Sequence, residues 1–277
     1  MSNQEQHLHT DNWQQLRELT SARIGLGRAG TSLPTSELLK FQLAHAQAID
    51  AVHSPLNGEL LRGQLAALSY HQQPLTLHGV KSEAEDRLVY LQRPDLGRKL
   101  SEASTYSLQN LREKEPFDLA IVIADGLSAT AVMQQSVPFL TALLTQLETS
   151  QPAWTLAPVS VVEQGRVAIG DDIALALNAQ MVVVLIGERP GLSSPDSLGI
   201  YLTWQPKPGC DDGKRNCISN VRPEGLTPEK AAARCLYLME NARARQLTGI
   251  GLKDRSEDNL LSGEQNERVF LLTSTQR

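Results

Sequence analysis

Two runs, "LAIVIA" at 119–124 and "MVVVLI" at 181–186, contain no polar residue. A strand with one wet face alternates apolar and polar side chains. A run apolar at every position must therefore be covered on both faces, as in a parallel sheet clothed by helices. The flanking residues agree. After the first run, "DGLSATAVMQQSVPFLTALLTQLE" turns at Asp125-Gly126 and becomes a long helix. Before the second, "TLAPVSVVEQGRVAIGDDIALALNAQ" reads as a strand, a polar turn and a helix beginning at Asp171 or Asp172. "RLVYLQRPDLGRKLSEASTYSLQNL" reads as a short strand, a Pro-Asp helix start and a helix. "LGIYLTW" reads as a further strand and "TPEKAAARCLYLMENARARQL" as a final helix. Up to residue 80 the pattern is helical and rich in loops, with apolar residues at 38, 39, 43, 46 and 49 forming a stripe of helical period. The expected fold class is α/β: a Rossmann-like, mostly parallel sheet with helices on both faces over 81–277, preceded by a helical N-terminal arm over 1–80.

Composition narrows the function classes. The 277 residues hold 26 Lys and Arg against 31 Asp and Glu, a net charge of −5, with no basic cluster interleaved with aromatics; this argues against nucleic acid as a partner. The apolar runs are far shorter than the roughly 18 residues needed to cross a bilayer. The polar start "MSNQEQHLHTDNW" has no secretory character, so a cytoplasmic protein is expected. Three cysteines, Cys210, Cys217 and Cys235, form no C-x-x-C pair, which supports neither a disulfide framework nor a structural zinc site.

Gly25, Gly27 and Gly30 in "RIGLGRAG" match the spacing of a dinucleotide-binding loop. That fingerprint works only between a buried strand and a helix whose N-terminus faces the phosphate. Here "WQQLRELTSA" upstream has helical spacing and Pro34 downstream precedes another helix, so the glycines read as a flexible connector.

In an open parallel sheet, ligands bind beyond the carboxyl ends of the strands. The loops there are "ADGLSAT" (124–130), "EQGRV" (163–167) and "GERPGLSSPDS" (187–197), each with a glycine beside a charged or hydroxyl residue. Helix capping by Asp125 and Ser128, and a solvated turn at Glu188-Arg189, are the simpler alternatives. No catalytic residues emerge. Ser128 lacks the G-x-S-x-G setting and has only His78 as a conceivable base. The six histidines, His7, His9, His45, His53, His71 and His78, show no metal-ligand spacing.

"IADGLSATAV", "VLIGERPGLSSPDSL", "RPDLGRKL", "NCISNVRPEG" and "SARIGLGRAGTSLPTSELLKFQLAHAQAIDAV" together resemble the small (light) subunit of ethanolamine ammonia-lyase, from about residue 13 onward. The resemblance implies a subunit of an adenosylcobalamin-dependent hetero-oligomer that converts ethanolamine to acetaldehyde and ammonia. It implies a large subunit that holds the substrate, with the arm as a contact to it. It further implies cobalamin-binding roles for Val167 in "QGRVAI", Glu188 in "IGERPGL" and Cys217 in "RNCISN". Cytoplasmic location is expected, with packaging in a bacterial microcompartment as the alternative; packaged members often carry a longer leader than the dozen residues preceding Trp13. The D-x-H-x-x-G loop that donates a cobalt-ligating histidine in some mutases is absent, since Asp50 and His53 stand three apart, so the cofactor is expected to keep its own base. The rival expectation is a stand-alone α/β enzyme acting on a phosphorylated metabolite at the 124–130 and 187–197 loops.

Overall fold

The computed structural model describes Leu8–His9 and residues 11–256. Its centre is one six-stranded sheet: β1 Leu77–Lys81, β2 Phe117–Ala124, β3 Val159–Glu163, β4 Ala179–Gly187, β5 Leu198–Trp204 and β6 Asn216–Val221. The spatial order is β6-β5-β4-β2-β3-β1. β1, β3, β2 and β4 run parallel, whereas β5 and β6 run antiparallel to their neighbours.

The two wholly apolar runs are the inner strands β2 and β4, paired from Leu119↔Met181 to Ala124↔Ile186. Their successive side chains point to opposite faces, and both faces are covered. Leu119, Ile121, Ile123, Met181, Val183 and Leu185 join one core with helices α2 (Gly58–Leu65), α5 (Ala129–Thr149) and α7 (Pro228–Arg245). Ala120, Val122, Ala124, Val182, Val184 and Ile186 join a second core with α4 (Glu102–Gln109) and α6 (Ile169–Leu177).

Three details depart from the sequence-based expectations. The sheet is mostly parallel, as expected, but mixed at one edge, because β4 and β5 are joined only by residues 188–197, too short a connection for the crossover a parallel neighbour requires. Residues 87–92 form helix α3 (Arg87–Gln92), not a strand. Asp86 caps it by accepting from the Val89 N–H at 2.8 Å, and Arg87 and Tyr90, three apart, turn inward and are buried. Strands β1 and β6 were not anticipated. β1 spans the expected boundary at 80/81, and Leu61 and Leu65 of α2 are fully buried in the first core, so the sheet draws on residues before 81.

Ahead of α2 lie a 3-10 turn at Asn12–Glu18 and the long helix α1 (Thr35–His53), in which only Ala51 is buried. Gly25, Gly27 and Gly30 between them have φ of +57°, +72° and +59°, a left-handed backbone that glycine adopts without steric cost. The glycines are flanked by a two-residue pairing of Leu8–His9 with Arg28–Ala29, without a βαβ unit. No helix among the described residues is long and apolar enough to cross a membrane.

The loop following β2 lies directly against the end of β4. A Cβ at Gly187 would sit 2.0 Å from the Ser128 carbonyl oxygen and 2.6 Å from that of Asp125, with no flexible side chain to yield. Gly187→Ala should therefore destabilise the fold by about 3 kcal/mol. Gly63, exposed within α2 with nothing near a Cβ, provides the contrast: Gly63→Ala should stabilise by about 0.5–1 kcal/mol. Urea unfolding of the two variants beside the parent checks both signs.

Candidate functional site

The loops after β2, β3 and β4 meet at the carboxyl end of the sheet. The Leu127 N–H donates to the Gly187 carbonyl at 2.9 Å, and the Ser128 hydroxyl donates to the Pro195 carbonyl at 2.7 Å. The same hydroxyl accepts from the Ala131 N–H at 3.1 Å, capping α5. Ser128 is thus a cap and a loop tie. His78 is occupied elsewhere, its Nε2 lying 2.7 Å from the Ser107 hydroxyl.

Asp125 does not cap the helix; it joins the loops. Its carboxylate, fully buried, accepts from the Gln164 N–H at 2.9 Å, the Gly165 N–H at 2.8 Å and Arg87 Nη1 at 3.3 Å. Arg87 also donates to the carbonyls of Gly126 at 2.8 Å and Val52 at 2.7 Å, tying the end of α1 into the cluster. Burial pushes the Asp125 carboxyl up to about 6, against the opposing effects of the Arg87 charge and the backbone donors. This junction lies between β2, whose following helix covers one face, and β3, whose following helix covers the other. That reversal is where open α/β sheets form a ligand crevice. Here the protein's own groups fill it.

An open face lies to one side, over β5 and β6. Strand alternation places Gly199, Tyr201 and Thr203 of β5 on the α6 side of the sheet, with Cys217 paired opposite Tyr201. The Glu188 carboxylate lies over Gly199, where a Cβ would come within 3.1 Å of its Oε1. Three donors hold it: the Ser197 hydroxyl at 2.5 Å, the Ser219 hydroxyl at 2.5 Å and the Asn220 N–H at 3.2 Å. Cys217 is exposed as a residue, but its thiol rests against Tyr201. Partial burial and the Glu188 charge push that thiol above its ordinary value, against the Tyr201 hydrogen bond, so it stays protonated.

Val167, half-buried, lies just before α6 and lines a hollow of about 320 Å³ with Arg98, Arg166, Ala168, Cys210 and Asp211. Asp171, in the first turn of α6, receives both Nη atoms of Arg215 at 2.8 and 2.7 Å in a pair almost wholly shielded from solvent. Arg215 stands two residues before Cys217, so this bridge fixes the spacing between the Val167 end of α6 and β6. The structure thus brings Glu188 and Cys217 together around Tyr201. It places Val167 on the same side of the sheet, where Val167 and Tyr201 both pack against the second core. Sequence reasoning missed Arg87, Gly199, Tyr201, Ser197 and Ser219. Alternation in "NCISN", which puts 217 and 219 on one face, was the one available signal for Ser219. Among the described residues no three His, Cys, Asp or Glu side chains cluster as a metal would require.

A family model described as "Ethanolamine ammonia-lyase light chain (EutC)" matches residues 10–253. The chain is 56% identical over 254 residues to an "Ethanolamine ammonia-lyase small subunit" of Pseudomonas fluorescens, covering 91% of this chain and 90% of the relative. It is 54% identical over 256 residues to a protein of the same description from Pseudomonas syringae pv. tomato, covering 92% and 87%. For one from Pseudomonas aeruginosa the identity is 55% over 257 residues, covering 91% and 90%.

The raised Asp125 carboxyl makes stability depend on pH in a definite direction. Its folded value of about 6 exceeds the unfolded value near 3.8, so the native state holds the proton more tightly. The associated stabilisation is complete below about pH 4 and is lost as pH rises through about 6. The Asp125→Asn side chain does not titrate. The stability of the parent minus that of this variant should therefore fall between pH 4 and 6 and then level off, as measured by urea unfolding across that range.

Proposed function

The chain belongs to the ethanolamine ammonia-lyase light-chain family, and from that premise we propose that it is the small subunit of an adenosylcobalamin-dependent ethanolamine ammonia-lyase, closing over the cobalamin at the interface with a large subunit. The observation that carries this reading is the open face over β5 and β6. It displays a carboxylate held by three donors, the phenol of Tyr201 and a protonated thiol, near a hollow lined by Val167 and two arginines.

These groups suit a corrinoid. A corrin has a broad apolar ring and a rim of carboxamides, which call for apolar contact together with separate acceptors and donors. Glu188 accepts from a rim N–H, Val167 packs against ring or side chain, and Cys217 contributes a small polarizable contact. Arg98 and Arg166, which line the hollow with Val167, offer donors to acceptor groups of the ligand. A hollow of about 320 Å³ cannot enclose a corrin, so another chain must complete the site. Adenosylcobalamin, when bound, supplies radical generation through homolysis of its cobalt–carbon bond. The part of this chain is to hold and orient the corrin and exclude water, which requires no nucleophile or general base of its own.

We read the sheet as Rossmann-like and, of residues 1–80, the part ahead of α2 as the arm that meets the large subunit, since α2 and β1 belong to the sheet and its core. Leu38, Leu39, Phe41, Leu43 and Ile49 of α1 are exposed, an apolar surface suited to a partner chain. The rival reading, a stand-alone enzyme for a phosphorylated metabolite, finds less support. The 124–130 loop turns its serine inward to Pro195, and its aspartate is enclosed by Arg87 and backbone.

Two outcomes follow. The isolated chain should not turn over ethanolamine, whereas adding the large subunit and adenosylcobalamin should produce acetaldehyde; turnover by the partner-free chain would refute the reading. Glu188→Ala should weaken cobalamin binding roughly tenfold to a hundredfold, the worth of one charged hydrogen bond. The complex should remain assembled, as followed by visible-spectrum titration and a sizing column. Unchanged affinity would remove Glu188 from the site.

A further inference from the structure

Glu188 is held in an unusual state for a half-exposed carboxylate. Ser197 and Asn220 donate to Oε2, and Ser219 donates to Oε1. All three donors are neutral, and no Lys or Arg forms an ion pair with Glu188 among the described residues. The Ser197 side is fixed, since that residue is 5% exposed and its carbonyl also accepts the Glu188 N–H at 3.0 Å. A carboxylate has about four acceptor positions. With three taken, the remaining one lies on Oε1, beside the space left by the missing Cβ of Gly199.

We propose that Ser197, Ser219 and Gly199 act as positioning residues that make Glu188 a selective acceptor, reading a primary carboxamide N–H of the corrin rim and rejecting a carboxylate at the same corner. This rests on the corrinoid reading above. The chemistry is one-sided. An ionised Glu188 can only accept, and its charge is ion-paired with no Lys or Arg among the described residues, so a ligand carboxylate meets repulsion where an amide meets a hydrogen bond. The serine hydroxyls keep the side chain from swinging away to relieve that repulsion.

The test uses the complex assembled with the large subunit, titrated with cyanocobalamin and with each of its monocarboxylic acids in which one primary side-chain amide, acetamide or propionamide, has been hydrolysed. The parent complex should bind one of the acids roughly tenfold to a hundredfold more weakly than cyanocobalamin. Glu188→Gln, whose amide can also donate, should shrink that ratio. Ser219→Ala should shrink it as well, and Ser219→Thr, which keeps the hydroxyl, should restore it. A purely structural serine would lower both affinities together and leave the ratio alone. If every acid binds as tightly as cyanocobalamin, or if the ratio persists in Glu188→Gln, the selectivity inference is overturned. If Glu188→Ala leaves cyanocobalamin binding itself unchanged, the corrinoid reading of this site falls instead.

Discussion

The carboxyl end of the sheet depends on one buried charge. Asp125 gathers the consecutive N–H groups of Gln164 and Gly165 and one nitrogen of Arg87, and so joins the loop after β2 to the loop after β3. Gln164 adopts φ +61°, a left-handed conformation costing a non-glycine residue on the order of 1 kcal/mol, and this aims its N–H at the carboxylate. The same Nη1 of Arg87 also donates to the Gly126 carbonyl, and its Nε donates to the Val52 carbonyl, extending the junction to the end of α1. Breaking such a pair on one side strands the other charge in the interior, typically at a cost of about 3–5 kcal/mol. A crevice that could have received a ligand is instead a structural knot, and the open face over β5 and β6 lies beside it.

That face exists because the sheet changes direction. The short 188–197 connection returns β5 antiparallel to β4, and β6 in turn runs antiparallel to β5, so no helix from a crossover covers their α6 side. On the opposite side α7 shields both strands with Ala231, Cys235, Leu238 and Met239. One side is therefore core while the other presents Tyr201, Cys217 and Ser219. The buried Arg215–Asp171 bridge then sets the distance from this surface to the start of α6, where Val167 lies.

The residues ahead of α2 and the open face over β5 and β6 are mechanically linked. Arg23 donates to the Leu192 carbonyl at 3.1 Å and to the Ser193 hydroxyl at 3.2 Å. Arg222, next to β6, donates to the Ser193 carbonyl at 2.9 Å and to Asp196 at 3.1 Å. The segment leading from Glu188 to Ser197 is thus gripped from both sides, by the N-terminal residues and by the end of β6.

The sequence by itself determined the α/β class, the inner strands β2 and β4, helices α5, α6 and α7, and the three loops at the strand ends. These rest on unbroken apolar runs and helical periodicity, which are local properties. Several long motifs pointed to the family, and that resemblance implies roles for Val167, Glu188 and Cys217. Other features needed the tertiary structure. "RLVYLQ" is apolar enough for a strand, but Asp86 caps a helix that buries Arg87 against Asp125, a contact 38 residues away in the chain. Strand direction at β5 does not follow from its apolar pattern, which is the same whichever way a strand runs; the shortness of the 188–197 connection decides it, and that only once both strands are placed in one sheet. Likewise, nothing local marks Ser197, Gly199 and Ser219 as one set. They come from two strand ends and a loop, and only the pairing of β5 with both neighbours brings their hydroxyls and the missing Cβ around a single carboxylate.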